Sequence, residues 1–206
     1  MIASPFTTVG GGDFKIQDLF VDNSKFTAGY NEEDSDVIKV WDGTTYVTYM
    51  FSAFVNAWTT VFDSFTETDE PLPSGVGAWY VNSGNTIADA IIAGEVITTN
   101  YTVSVGGGFE ALTLLGNPFS EALPLSSIIS SGLNAGYNEE DSDVIKVWDG
   151  TTYVTYMFSA FVDAWTTVFD SFTETDATIP ANDGFWFVRL EGGATTLTLK
   201  VPYDVD

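Results

Sequence analysis

Apolar and polar positions alternate over short runs along this chain, and Gly, Pro and Asp cut the runs at close intervals. Such a pattern predicts many short strands rather than helices. Residues 6–9 read as a short strand closed by Gly10-Gly11-Gly12. Residues 14–20 (FKIQDLF) read as one helical turn or a short strand, 23–28 as a loop, and the charge run 31–36 as a solvated loop. A strand over 36–41 then meets Asp42-Gly43, a strong hairpin signal, and returns over 44–51 (TTYVTYMF), rich in β-branched and aromatic residues. The stretch 51–65 is ambiguous. Phe51, Phe54, Val55, Trp58, Val61, Phe62 and Phe65 lie at helical spacing, yet the residue types prefer strands and no cap precedes them. We therefore expect a hairpin, with its turn near 53–57 and a strand over 58–63. A turn at 71–75 and strands at 77–81 and 86–92 follow.

The second half repeats the plan. Strands are expected at 99–105 and 111–115, separated by Gly106-Gly107-Gly108, and Gly116-Asn117-Pro118 ends the second. A short helix or bend at 125–129, a turn at 179–182 and strands at 184–190 (GFWFVRL) and 195–201 (TTLTLKV) complete it. The expected fold is all-β: two tandem β-sandwich or barrel-like domains related by internal duplication. They would span 1–97 and 109–206, joined by a connector strand and Gly-rich hinge at 98–108. By this count domain 1 is one strand short, and a missing strand leaves a row of unpaired backbone groups that invites another chain.

A near-identical repeat accompanies this plan. Residues 28–69 recur as 135–176, 107 positions on, with one change: Asn56 becomes Asp163. Cores tolerate many apolar substitutions, and surfaces tolerate more, so packing alone does not demand identity. Either the copies are recent, or both must present the same surface to the same kind of partner. The divergence outside the copies favours the second reading.

Composition narrows the chemistry. The chain carries 29 acids against 6 bases, a formal net charge of −23, with no Cys and no His. So few cationic side chains against so many acids argue against nucleic acid and anionic membrane surfaces as partners. Disulfides, thiolate metal sites, cysteine nucleophiles and His-based acid–base chemistry are excluded by the missing residues. So acidic a chain suits a salty or calcium-rich medium. The first residues, MIASPF, show neither the charged nor the apolar region of a signal peptide, so the chain is expected to be cytoplasmic or an already processed form. The apolar-rich stretch 46–65 is broken by Thr48, Ser52, Asn56, Thr59, Thr60 and Asp63, which argues against membrane insertion.

Four strings in the second half carry a resemblance: Leu115-Gly116-Asn117-Pro118-Phe119, then 143–149 (DVIKVWD), 153–156 (YVTY) and 179–187 (IPANDGFWF). In this order they resemble secreted tandem-repeat β-proteins of the planctomycete–verrucomicrobial bacteria. The first half departs from the pattern, with Gly10-Gly11-Gly12-Asp13-Phe14 in place of LGNPF and Gly77-Ala78-Trp79 in place of GFW. The resemblance implies an extracellular or bacterial cell-surface location and no catalytic activity.

Three constellations are candidates for chemistry. Glu32, Glu33, Asp34 and Asp36, with their copies Glu139, Glu140, Asp141 and Asp143, place enough oxygens in one loop to suggest calcium, although the spacing is not that of an EF-hand. Against this stands a solvated, self-repelling loop. Trp41, Trp58 and Trp79, with Trp148, Trp165 and Trp186, would form either core or sugar-stacking platforms. Pairs of carboxylates can hydrolyse glycosides, but nothing singles out a pair. The expectation is a non-enzymatic, exported structural protein whose partner is itself, joined head to tail into a fibre, filament or layer, with strand sharing as one means. The alternative is a carbohydrate-binding or adhesive module with glycans as partners.

Overall fold

The computed structural model describes residues 1–4, 6–8, 11–84 and 91–203. Nearly all regular structure is β, and the described helical segments are single 3-10 turns at Ile16–Asp18, Asn23–Lys25, Leu125–Ser127 and Glu139–Asp141. Among the described residues no helix is long and apolar enough to cross a membrane. Strand 86–92 of the sequence reading lies mostly outside the described residues, as do Val9 and Gly10.

Each half is built on a six-stranded antiparallel sheet of the same order. In the first half it runs Ile2–Ala3, Gly77–Val81, Val37–Trp41, Tyr46–Ser52, Ala57–Thr60, Asp63–Glu67. In the second it runs Ala111–Gly116, Gly184–Arg189, Val144–Trp148, Tyr153–Ser159, Ala164–Thr167, Asp170–Glu174. Alternation sets which face is inward. Ile38, Tyr49, Phe51, Trp58 and Ala78 enter one core, and Ile145, Trp165, Phe185 and Phe187 enter the other.

The covering layers differ. In the second half a three-stranded sheet of Tyr101–Val105, Thr195–Leu199 and Ile128–Ile129 supplies Val105, Ile128, Leu197 and Leu199. The result is a β-sandwich. In the first half a loop carries Phe20 and Phe26, 4.8 Å apart, onto Trp58, Tyr80 and Phe51, with ring centroids 5.2–6.4 Å away.

Three parts of the sequence reading are corrected here. Residues 99–105 do not form a connector, because Tyr101–Val105 pairs along its whole length with Thr195–Leu199. The edge expected to be vacant in the first half is occupied by Ile2–Ala3, which pairs with Ala78 and Gly77 as Leu115 and Gly116 pair with Phe185 and Gly184. Phe6–Thr7 pairs elsewhere, with Glu95–Val96. The hairpin expected after residue 51 is present, but its second strand is only Ala57–Thr60. A further strand, Asp63–Glu67, follows across a register shift, a bulge that bends the edge.

The halves meet at the first edges of their sheets, and the contacts are reciprocal. Ala3 N–H donates to Asn182 C=O at 2.8 Å, and its counterpart Gly116 donates to Gly75, the counterpart of Asn182, at 2.7 Å. Trp41 meets Trp186 edge-on at 5.6 Å, and their counterparts Trp148 and Trp79 meet at 6.3 Å. If residue i contacts j, the equivalent of j contacts the equivalent of i. That is the signature of a two-fold relation, here inside one chain. The close approach demands small residues: a Cβ on Gly116 would lie 2.1 Å from Cβ of Ala3, and one on Gly77 would lie 2.4 Å from the Leu115 oxygen.

The single difference between the repeats falls at a left-handed turn position. Asn56 has φ 54° and Asp163 has φ 53°. Asn and Asp are the non-glycine residues that visit this region most readily, because their side chains bond locally. We expect Asn56→Ala or Asp163→Ala to destabilise the protein by about 1 kcal/mol, and glycine at either position to cost less. Urea denaturation of the three forms checks the order, and alanine tolerated as well as glycine would refute the strain.

Candidate functional site

The two acidic loops do not converge on a common point. Among the described residues no three Asp, Glu, His or Cys side chains gather as a metal ligand set. Asp34 and Asp141 instead close their own loops, each accepting from a backbone N–H three residues earlier, Asn31 at 3.0 Å and Asn138 at 2.8 Å. Glu32 pairs with Lys39 at 2.6 Å and Glu139 with Lys146 at 3.1 Å. These two are surface pairs of small energetic weight. Glu33 and Glu140 are exposed.

The last acid of each loop is fully buried. Asp36 accepts from the N–H of Thr27 and Ser83, at 3.1 and 2.8 Å, and from the Tyr80 and Ser83 hydroxyls, at 2.7 and 3.3 Å. It therefore ties the start of the Val37–Trp41 strand to the end of the Gly77–Val81 strand. Its copy Asp143 does the same with Asn134 and Leu190 but gains a cation: Arg189 Nη1 lies 2.8 Å away and also donates to Gly132 C=O at 2.6 Å. The first half has Asn82 at the place of Arg189. The phenols record the same burial. Loss of water pushes the Tyr80 hydroxyl up, with the Asp36 charge adding to it. Desolvation, with Glu70 nearby, pushes Tyr49 up to about 12. At the hairpin tips the opposite holds. Backbone N–H groups of Thr45 and Thr44 lower Asp42, and those of Thr152 and Thr151 lower Asp149.

The six tryptophans divide by role. Trp58 and Trp165 are core, and Trp165 Nε1 donates to Ile128 C=O at 2.9 Å. Trp41, Trp79, Trp148 and Trp186 form the junction between halves; Trp79 and Trp186 also donate to Tyr46 and Tyr153 hydroxyls, each at 3.2 Å. Beside this junction the second half has an open groove of about 830 Å³ lined by Phe109, Leu112, Tyr153, Trp186, Glu139 and Lys146 among others.

Sequence reasoning missed an exposed aromatic feature that each half carries. Tyr30 packs on Phe54 (5.1 Å) and Phe54 on Phe65 (4.4 Å), at the outer edge of the sheet; Tyr137, Phe161 and Phe172 repeat the stack at 5.0 and 4.2 Å. On the same edges Phe62 and Phe169 are 98 % and 97 % exposed. The signal was available. All these rings lie inside the repeated segment, and the helical spacing that made 51–65 ambiguous mixes two buried rings with three that face water.

Arg189→Met should strand Asp143 as a buried, unneutralised carboxylate and cost about 3–5 kcal/mol. Denaturant unfolding measures this, and an unchanged midpoint would show that the neutral donors suffice, as they do around Asp36. None of the family models, curated proteins or solved structures compared with the chain matches it.

Proposed function

We propose that the chain is a non-enzymatic structural building block of a bacterial surface, exported and self-assembling end to end into a fibre, filament or layer. One observation carries this reading: the two halves close on each other through their first edges, leaving the same sheet edge, with the same sequence, at both outer ends. A body with two equivalent ends links copies of itself without limit unless the rotation closes a ring. The net charge of −23 favours the reading in a salty medium, where screening limits self-repulsion. The exported location is supported by the acidic composition and the family resemblance.

A second reading is favoured by the groove beside the tryptophan junction. Its aromatic and carboxylate lining is of the kind that binds sugar rings, and its volume is within the usual range of ligand sites. Trp186 is largely covered there by Trp41 and Tyr46, so Phe109 and Tyr153 would have to supply the stacking faces.

Light scattering and negative-stain imaging of the purified chain, across concentration and in salt with calcium, separate the two. The expected outcome is concentration-dependent growth into elongated particles. A monomer under every condition that binds a glycan array would replace the first reading with the second.

A further inference from the structure

Resting on the self-assembly reading, we propose that the joint itself is the duplicated aromatic edge: the outer edge of one copy packs, ring stack against ring stack about a two-fold axis, on the outer edge of a second copy of this chain. The exposure argues for a covered surface. Tyr30, Phe54, Phe62 and Phe65 together leave bare the surface of nearly three whole aromatic residues, and the second edge leaves almost the same. That is on the order of 550 Å² per edge at ~200 Å² per ring, at the top of what a monomer ordinarily exposes in one patch. A stable dimer needs about 800 Å² from each partner. The rings supply some two-thirds of it and the half-exposed Val55 and the rim must supply the rest, so each joint is weak alone and depends on concentration.

The occupant is a second copy because the surface is present twice on every molecule, with one sequence. A two-fold contact presents each ring stack with its own complement. The chain already uses such a contact internally, where tryptophans meet in reciprocal edge-on pairs at the junction of the halves.

The joint is made by side chains rather than by adding a strand. The edge strand Asp63–Glu67 is bulged, since Thr59 and Thr60 of the inner strand pair with Glu67 and Asp63 across a register shift, and Phe65 N–H is turned back onto the Asp63 carboxylate at 3.1 Å. Bulges and acids on an edge are the usual obstacles to strand pairing. Asp63 and Glu67 also fix the sign of the salt effect. Like charges approach across the joint, so added salt strengthens it, whereas a cationic partner on the same acidic, aromatic edge would be weakened by salt.

The test uses the full chain and three variants: Phe62→Ser/Phe65→Ser, Phe169→Ser/Phe172→Ser, and all four together. Phe62→Ser/Phe169→Ser serves as a control for folding, since both rings are almost wholly exposed. Size is read by multi-angle light scattering from about 0.05 to 1 M NaCl. We expect wild type to form polymers that grow with salt, each one-edge variant to stop at dimers, and the four-fold variant to be monomeric while still melting in one cooperative transition. The control pair should raise the concentration at which polymers form by at least about tenfold. Polymers of undiminished length from the four-fold variant would overturn this joint while leaving self-assembly standing. A one-edge variant that still polymerises would overturn the two-fold geometry. Wild type that is monomeric throughout would overturn both the joint and the self-assembly reading.

Discussion

The reciprocal contact between the first edges of the two sheets is the constraint on which the rest depends. It includes two backbone hydrogen bonds, Ala3 to Asn182 and Gly116 to Gly75, a bridge between Val76 and Leu115, and two pairs of tryptophans, of which Trp41 also donates to Leu112 C=O. The small side chains there are a consequence. Strands this close leave room for Ala3, Gly77, Gly116 and Gly184 and for little else. Because the contact is reciprocal it is closed, and no third half can join at the same place. The outer edges of the two six-stranded sheets are thereby the opposite ones, Asp63–Glu67 and Asp170–Glu174.

A second constraint works inside each half. A buried carboxylate, Asp36 or Asp143, gathers backbone N–H groups from a loop and from the end of the neighbouring strand, and so fixes how the acidic loop leaves the sheet. Burying a carboxylate is expensive unless donors replace the lost water. The halves reach this in two ways. In the first, four neutral donors surround the charge. In the second, Arg189 supplies a counter-charge. The acidic loop is thus an element of the fold: three of its four carboxylates close a turn, pair with a lysine or anchor a strand, while Glu33 and Glu140 face solvent.

Much of the fold was legible. Asp42-Gly43 marked the hairpin, with Gly43 in the left-handed conformation at φ 105°. The runs GAWYV and GFWFVR sit in strands beginning at Gly77 and Gly184 as read. The hairpin after residue 51 followed from residue type against spacing, because no cap preceded the apolar run. What was not legible was either too short or too distant. A two-residue strand such as Ile2–Ala3 leaves no periodic trace. The partner of Tyr101–Val105 lies in Thr195–Leu199, far along the chain, so its membership of the second half could not be read locally. Asp36 resembled the rest of its charge run; only the Arg in GFWFVR, one of six basic residues, hinted that its copy was buried.

The repeats are nearly identical although the environments they occupy differ. The same inward-facing residues pack against aromatic rings in one half, Phe20 and Phe26, and against aliphatic strands in the other, Ile128, Leu197 and Leu199. Packing would permit, and even favour, divergence of the residues that meet such different covers. Yet they are identical, and so are the exposed rings of the outer edge, which pack against nothing beyond their own stack. The one position that differs, Asn56 or Asp163, differs between the two residue types that the turn accepts equally. Either the copies are too recent to have diverged, or a requirement acts on exposed and buried positions alike; the second would be placed on the shape and surface of the whole segment, and the shared contact proposed above would be such a requirement.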